Sequence, residues 1–202
     1  MVSDSKPRLR LELPGAVRDT VRRLEAAGGR VWLVGGAVRD GLLKLAVEDW
    51  DLATTVVPEK LTAVLPEARD LDLHLGSCHL DVGETAVAIT TLREEGGYHD
   101  HRHPTVVRFI DDPHRDGLRR DFTVNAMAVR LPGREVEDPH GGVLDLAHRV
   151  LRTPGTPEDS FSDDPLRMMR AARFAAQLGF EVDDSVVEAM TAMAERIDII
   201  SA

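Results

Sequence analysis

The chain has 202 residues, of which 43% are hydrophobic and 30% charged, and its formal net charge at pH 7 is −10. A chain of this size can bury a substantial core, and its acidic balance argues against coating nucleic acid with the whole surface, so any such contact must be local. No apolar run approaches the roughly 18 residues that cross a bilayer, and residues 1–6 lack the order of a signal peptide, so we expect a cytoplasmic protein with no membrane partner.

The first half of the chain alternates helical and strand patterns. Apolar residues at helical spacing, stopped by two glycines, predict a first helix, and a short apolar run followed by Gly35-Gly36 predicts a strand that turns directly into a second helix. Short apolar or β-branched runs predict further strands. The predicted elements are a helix over 14–27, a strand over 31–34, a helix over 37–45, a strand over 50–53, a helix over 58–65 and a strand over 85–92.

The second half changes from strands to helices. We predict a polar loop over 93–104, a strand over 106–110, an alternating apolar segment over 124–130, a turn over 139–142, and helices over 165–178 and 184–197. Strands mixed with helices before helices alone indicate an α+β head domain over residues 1–152 and an all-helical neck over residues 153–202. Since residues 197–202 carry neither a glycine stop nor a polar tail, we expect the front part of something longer.

Two aspartates, separated by one residue, lie at the start of the predicted strand over 50–53, Asp49 just before it and Asp51 within it. Side-chain alternation sends Asp49 and Asp51 to one face, while Trp50 and Leu52 point the other way into a core. Two carboxylates on one face suit Mg²⁺, which prefers few protein ligands together with phosphates and water. Such a pair alone more often marks a solvated edge or a turn, so the metal interpretation depends on its context.

The context is the glycine turn before the second predicted helix. Glycines let backbone N–H groups approach an anion, the helix N-terminus adds a favourable dipole, and Arg39 could pair with the negative charge. The spacing fits neither the dinucleotide fingerprint nor the P-loop. A tight turn with Arg39-Asp40 as a surface pair is the alternative interpretation.

Four segments in order carry a family resemblance. Residues 35–40 (GGAVRD) with 49–54 (DWDLAT) resemble motif A of class II tRNA nucleotidyltransferases, the CCA-adding enzymes and related poly(A) polymerases. Residues 119–127 (RRDFTVNAM) resemble motif B, residues 138–146 (DPHGGVLDL) resemble motif C, and residues 163–173, which begin DDPLR, resemble motif D. Four ordered motifs are far more specific than any one of them.

The resemblance implies a fold, a reaction and a set of site residues. The fold would be a polymerase-β-like nucleotidyltransferase head with a small mixed sheet, followed by a helical neck. The reaction would be template-independent addition of C and A, from CTP and ATP, to the 3′ end of tRNA, with Mg²⁺ held by Asp49 and Asp51. The implied nucleotide-binding residues are Gly36, Arg39, Arg120, Asp164, Arg167, Arg170 and Arg173.

The motif D residues also have a physical interpretation. Asp164 followed by Pro165 suits a helix N-cap and first position, and the three arginines at i, i+3 and i+6 would share one stripe of the helix. In the family, the matching aspartate and first arginine select the incoming base by hydrogen bonding. For Asp164 a helix cap is the alternative, and the two roles are compatible because a carboxylate has several acceptor positions.

The chain departs from the family pattern at Ala88, where relatives commonly have an acidic residue. Either two carboxylates suffice for the metal or the protein is catalytically weakened, and Glu84, Glu94 and Glu95 lie nearby without an evident place on the metal face. Alternatives are therefore a poly(A), A-only or CC-only adding enzyme, and a non-catalytic nucleotide-binding or RNA-binding subunit. The family continues with body and tail regions that hold tRNA, so we expect a missing C-terminal region or a partner chain.

A histidine-rich loop raises the question of zinc. Tyr98, His99, His101 and His103 alternate, which would align three imidazoles in an extended segment. The only cysteine is Cys78, which we interpret as a small buried hydrophobe, so no thiolate supports a zinc site. We favour a mobile substrate-handling loop, of the kind that the resemblance associates with adenosine addition.

Overall fold

A computed structural model describes residues 7–98 and 104–199. The head elements are α1 (Gly15–Ala26), β1 (Val31–Val34), α2 (Gly36–Leu43), β2 (Trp50–Thr54), α3 (Pro58–Val64), β3 (Arg69–Asp72), β4 (Ser77–Val82), β5 (Thr85–Thr91), β6 (Arg93–Tyr98), β7 (Pro104–Phe109), α4 (Pro113–Gly117), a 3₁₀ turn (Thr123–Asn125), β8 (Ala128–Leu131), β9 (Val136–Glu137), α5 (Gly142–His148) and β10 (Val150–Leu151). After them come α6 (Pro157–Asp163), α7 (Leu166–Leu178), β11 (Glu181–Val182), α8 (Asp184–Ala192) and a 3₁₀ segment (Ala194–Ile199). In the described residues, no helix is both long and apolar enough to cross a membrane.

The head is built on a seven-stranded sheet with the order β3-β4-β5-β2-β1-β8-β9. Strands β2 and β5 pair in parallel, and the other neighbours in the sheet pair antiparallel. The predicted α+β class and mixed sheet are thus confirmed.

The two faces of the sheet differ. One face is packed under helices and forms the main core, to which Leu33, Trp50, Leu52 and Ile89 contribute, so the predicted inward direction of Trp50 and Leu52 is confirmed. Residues paired across a ladder point to the same face. On the opposite face Asp51 therefore stands in a row with the residues paired to it and to its neighbours, which are Val34, Ala88 and His79.

Several elements escaped the sequence patterns. The elements that were not predicted are strands β3, β4, β9, β10 and β11 and helices α4, α5 and α6. The predicted loop over 93–104 contains β6, which pairs with β7 as a hairpin. The region after residue 152 is helical except for β11, which pairs in parallel with β10. A strand of two residues is too short to show an alternation of apolar and polar side chains, so no sequence pattern predicts it.

The motif C segment holds neighbouring elements of the head together through the hydrogen bonds of two aspartates. The carboxylate of Asp138 accepts hydrogen bonds from the backbone N–H groups of Gly142 (2.7 Å) and Val143 (2.8 Å) at the start of α5. One turn later, buried Asp145 accepts from Thr123 Oγ1 at 2.7 Å and from Arg152 at 2.6 Å. These bonds connect α5, the motif B segment and the strand that leads to the neck.

Replacing Gly142 by alanine should destabilise the head by about 3 kcal/mol, because a Cβ there would force overpacking of a closed joint. That atom would lie 2.2 Å from the backbone oxygen of Thr123 and 2.9 Å from Met127 Cγ. Urea unfolding measures the loss. Gly155→Ala is the matched control, since a Cβ at Gly155 meets no described atom within 4 Å; equal stability of the two variants would contradict the packing argument.

Cys78 is buried, as predicted, and is 1% exposed on β4. Burial raises the pKa of its thiol to about 11. Because the thiolate is the reactive form, the native protein at pH 8 should react with a disulfide reagent such as DTNB roughly a hundredfold more slowly than the urea-unfolded chain. Absorbance of the released thiolate follows the reaction, and equal rates in both states would show that the β4 strand opens readily.

Candidate active site

A cavity of about 930 Å³ opens between the free face of the sheet, the β6–β7 hairpin and helix α7. Every residue that the sequence assigned to the site lines this cavity, although motifs A, B and D lie far apart in the chain. These residues are Gly36, Arg39, Asp49, Asp51, Arg120, Asp164, Arg167, Arg170 and Arg173. Their roles stay predictions.

The two aspartates occupy the sheet side of the cavity. Asp49 is exposed just before β2, and Asp51 is partly buried on it. Burial raises the pKa of Asp51, the nearby guanidinium of Arg120 lowers it, and the like charge of Asp49 raises it further, with a net increase. A charged carboxylate in this position is short of positive charge, so a divalent cation that shares ligands with phosphates and water would fit it.

Within the described part of the chain, no third carboxylate joins the pair in a metal-holding group. Ala88 is the β5 residue paired with Asp51, so a carboxylate at this position would project onto the same face. Glu84 lies in the turn between β4 and β5, Glu94 forms an ion pair with Arg115, and Glu95 faces other partners. Across residues 7–98 and 104–199, no three His, Cys, Asp or Glu side chains form a group that could hold a metal. The predicted zinc alternative rests on His99, His101 and His103, which lie outside the described residues.

The glycine turn packs against the aspartates. Gly35 has a φ of +68°, which L side chains rarely adopt, and a Cβ there would lie 2.9 Å from Asp51 Oδ2 and 3.4 Å from Arg120 Nη1. The turn therefore brings the start of α2 beside both a candidate metal ligand and a candidate phosphate ligand. Only glycine suits this combination of conformation and crowding.

Arg39 is not a surface residue, so the surface-pair alternative is wrong. Its side chain is 7% exposed, Nε and Nη2 donate to Asp40 at 2.8 and 2.9 Å, and Nη1 donates to Asn125 Oδ1 at 2.7 Å. Asn125 donates in turn to Asp121, whose other oxygen accepts from Arg170 at 2.7 Å. This chain of bonds connects motifs A, B and D.

Sequence reasoning did not assign Asn125 or Asp121 to the site, although both belong to the motif B segment and line the cavity. Their membership of the motif was the available signal. A bond between Arg39 and a side chain 86 residues away has no local signature.

The three arginines of α7 contact different neighbours. Arg167 is buried, and it donates from Nη1 to Ser160 Oγ (2.9 Å) and from Nη2 to the backbone oxygen of Arg119 (2.7 Å). Arg170 and Arg173 place their guanidinium carbons 5.4 and 4.8 Å from the ring centre of Phe174. All three line the cavity, so the predicted stripe faces the site.

Asp164 does act as a cap. Its Oδ1 accepts a hydrogen bond from the backbone N–H of Leu166 at 3.0 Å. Helix α7 begins at Leu166, so Pro165 precedes the helix and does not occupy its first position, a shift of one residue from the prediction. The capping bond engages only one of the two carboxylate oxygens.

Comparisons with known proteins agree with this geometry. A family model described as the poly(A) polymerase head domain matches residues 31–152. A CCA-adding enzyme of Lactobacillus delbrueckii subsp. bulgaricus is 39% identical over 170 residues, which cover 84% of this chain and 43% of the relative.

Solved structures show the same similarity. The Bacillus stearothermophilus CCA-adding enzyme in complex with CTP aligns with a TM-score of 0.82 and 33% identity, covering 94% of this chain and 46% of that one. A tRNA nucleotidyltransferase complexed with a primer tRNA and an incoming ATP analog aligns with a TM-score of 0.70 and 29% identity, covering 87% of this chain and 50% of that one. The chain thus spans about half the length of these proteins or slightly less.

Proposed function

Because the chain belongs to the poly(A) polymerase head-domain family, we propose that it adds C and A from CTP and ATP to the 3′ end of tRNA, without a template. The observation that carries this proposal is the single cavity in which residues of motifs A, B and D meet. The similarity to enzymes described with CTP, with an ATP analog and with primer tRNA supports the same nucleotides and primer. A tRNA-processing role is consistent with a cytoplasmic location.

Asp49 and Asp51 are the residues that would hold Mg²⁺. When bound there, the ion supplies positive charge at the primer 3′ oxygen and at the departing pyrophosphate. The net increase in the pKa of Asp51 supports this assignment, because burial and Asp49 leave its carboxylate short of positive charge.

The arginines of the cavity would hold the triphosphate. Arg120 donates from Nη2 to Asp116 at 3.3 Å, and none of the described residues accepts from its Nε or Nη1. These groups lie next to the Gly35 turn, where backbone N–H groups at the start of α2 also favour an anion. Arg173, which is exposed on α7, adds positive charge at the neck side. In the reaction the 3′ hydroxyl gives its proton to water and its oxygen bonds to the α-phosphorus. The bond from that phosphorus to the bridging oxygen breaks, and pyrophosphate leaves.

Asp164 and Arg167 would choose the base. Asp164 uses Oδ1 as the helix cap, which leaves Oδ2 to accept from an exocyclic amine. Arg167 Nε has no acceptor among the described residues and can donate to a ring nitrogen. Cytosine and adenine both present an amine beside an acceptor nitrogen, whereas uracil and guanine present the reverse pattern. The pair therefore favours C and A.

The test is incorporation of labelled CMP or AMP, with Mg²⁺, into tRNAs that end before the first C, after CC, or with the complete CCA. Incorporation on the two trimmed tRNAs and none on the complete one is the expected result, and EDTA should abolish it until Mg²⁺ is restored. Unlimited A tails would indicate poly(A) synthesis, and addition of C alone or A alone would indicate a CC-adding or A-adding enzyme.

A non-catalytic nucleotide-binding subunit is the second candidate. The position of Ala88 beside Asp51 favours it, because the β5 residue paired with Asp51 carries no carboxylate that could add a third metal ligand. Binding of CTP and ATP without incorporation on any tRNA would support this candidate and contradict the first.

A further inference from the structure

Two carboxylates with buried side chains hold the arginines of the cavity wall and have no part in the reaction described above. One of them lies behind the wall and the other lines the cavity. The side chain of Asp116, on α4, is 2% exposed, and that of Glu95, on β6, is 8% exposed. A buried carboxylate is costly unless charged and polar partners compensate for the lost hydration. Their partners therefore indicate what the two residues do.

Asp116 holds both arginines of motif B. Its Oδ1 accepts from the Nε of Arg119 at 2.9 Å and from the backbone N–H of Arg93 at 3.0 Å, and its Oδ2 accepts from the Nη2 of Arg120 at 3.3 Å. Burial raises the pKa of Asp116, but Arg119 and Arg120 lower it more, so the net shift is downward. Asp116 is therefore ionised at neutral pH, and its side chain joins α4, β6 and the motif B segment.

Glu95 holds the same cluster from the hairpin side. Its Oε1 accepts from Arg93 Nε at 2.6 Å and lies 3.5 Å from Arg119 Nη1, and its Oε2 accepts from the Tyr98 hydroxyl at 2.6 Å. Burial raises the pKa of Glu95, while Arg119 and Arg93 lower it to a net decrease. The ion pair with Arg119 thus joins the hairpin to motif B, while the two hydrogen bonds of Glu95 stay within the hairpin and fix its carboxylate.

The clamped arginines face the cavity at two points. Arg120 lies against the Gly35 turn, 3.4 Å from the Cβ position there. The backbone oxygen of Arg119 accepts from Arg167 Nη2 at 2.7 Å, so the position of Arg119 also sets the position of Arg167. Arg93, Arg119 and Arg120 line the cavity, whereas Asp116 lies behind them. Three guanidiniums against two carboxylates leave one net positive charge at this wall.

We propose that Asp116 and Glu95 are positioning residues, which clamp Arg119 and Arg120 so that the arginine wall receives the polyphosphate of a nucleoside triphosphate. The inference rests on the proposed function for the identity of the anion. Asp116 lies behind the wall, and Glu95 lines the cavity with both carboxylate oxygens engaged, so both act through the guanidiniums that they hold.

The direction of the change in nucleotide affinity distinguishes a positioning role from a purely electrostatic one. Glu95→Gln and Asp116→Asn each remove a negative charge near the phosphates, so a role through the electric field alone predicts tighter nucleotide binding. Positioning predicts weaker binding, by about tenfold, because a charge-assisted hydrogen bond to an arginine is lost. Tyr98→Phe changes no charge and loosens Glu95 alone, so it should weaken binding by about fivefold.

Binding is measured by calorimetry with CTP, ATP and inorganic tripolyphosphate, without primer. The charge control is Glu48→Gln, because Glu48 is an exposed acid at the cavity whose carboxylate has no hydrogen bond within the described residues. This control should bind all three probes as tightly as the unchanged protein or more tightly. If Glu95→Gln and Asp116→Asn follow the control, the inference is overturned.

Two further readouts complete the experiment. Thermal unfolding shows whether each variant is folded. If Asp116→Asn does not fold, the test rests on Glu95→Gln and on Tyr98→Phe, whose wild-type side chain is partly exposed. Incorporation on trimmed tRNA is measured separately. An unchanged protein that binds CTP without incorporating CMP contradicts the proposed function, while the dissociation constants still decide the positioning role.

Discussion

Replacing Asp51 by asparagine should reduce nucleotide incorporation by at least about a thousandfold, since the charge stabilisation that such a metal ligand secures amounts to several kcal/mol. The amide keeps the size of the side chain but loses the negative charge that would hold the cation. Asp49→Ala should have the same effect. Incorporation of labelled CMP into a tRNA that ends before the first C measures both losses.

The same substitution should leave the fold intact or make it more stable. The folded protein raises the pKa of Asp51, through burial first and also through Asp49, so at neutral pH the ionised carboxylate opposes folding. Thermal unfolding of the metal-free variant should therefore occur at the same temperature or higher. Asp19→Asn, an exposed acid on α1 that pairs with Arg22, is the matched control and should retain incorporation. A fully active Asp51→Asn variant would remove the metal assignment.

The directions of the side chains around Asp51 could be predicted from the sequence. Alternation along β2 places Asp51 on the open face and Trp50 and Leu52 in the core, and each of these directions follows from a period of two. The turn at Gly35-Gly36 was also predicted, from two glycines between an apolar run and a helical pattern, and the structure adds that Gly35 has a positive φ and lies close to Asp51. Local geometry of this kind leaves a local signature.

Contacts between residues far apart in the chain leave no local signature in the sequence. Arg39 was predicted to face phosphate or solvent, but its guanidinium is engaged by Asp40 and by Asn125, which comes close only when β1 and β8 pair. Likewise, Glu95 had no evident role before the hairpin placed it between Arg93 and Tyr98. The motifs identify which residues meet at the cavity, whereas tertiary packing decides which donors remain for a ligand.

Strand β6 shows the limit for secondary structure. Its sequence, REEGGY, lacks the β-branched residues and the apolar alternation that predict a strand. The ladder with β7 forms nevertheless, and its inward positions are filled by Arg93 and Glu95, whose charges compensate each other. An apolar pattern cannot report a strand whose buried side is an ion pair.

Replacing Arg167 by alanine should lower CMP and AMP incorporation by about a hundredfold and reduce the preference for CTP over UTP by at least about tenfold, because a good base-edge contact discriminates by about 1–3 kcal/mol. The variant also loses the bonds to Ser160 and to the backbone of Arg119, which join α7 to α6 and to motif B. Competition between labelled CTP and UTP on one primer measures the preference, and Arg22→Ala, an exposed arginine on α1, is the control.

Arg167→Lys separates charge from hydrogen-bond geometry at the same position. Lysine keeps the positive charge but carries a single ammonium in place of the planar guanidinium. The ammonium cannot reach Ser160, the Arg119 oxygen and a base together. We therefore expect Arg167→Lys to recover part of the lost CMP and AMP incorporation but little of the preference for CTP over UTP. If lysine restored the preference in full, the charge of Arg167 would be sufficient, and selection of the base would have to come from another part of the cavity.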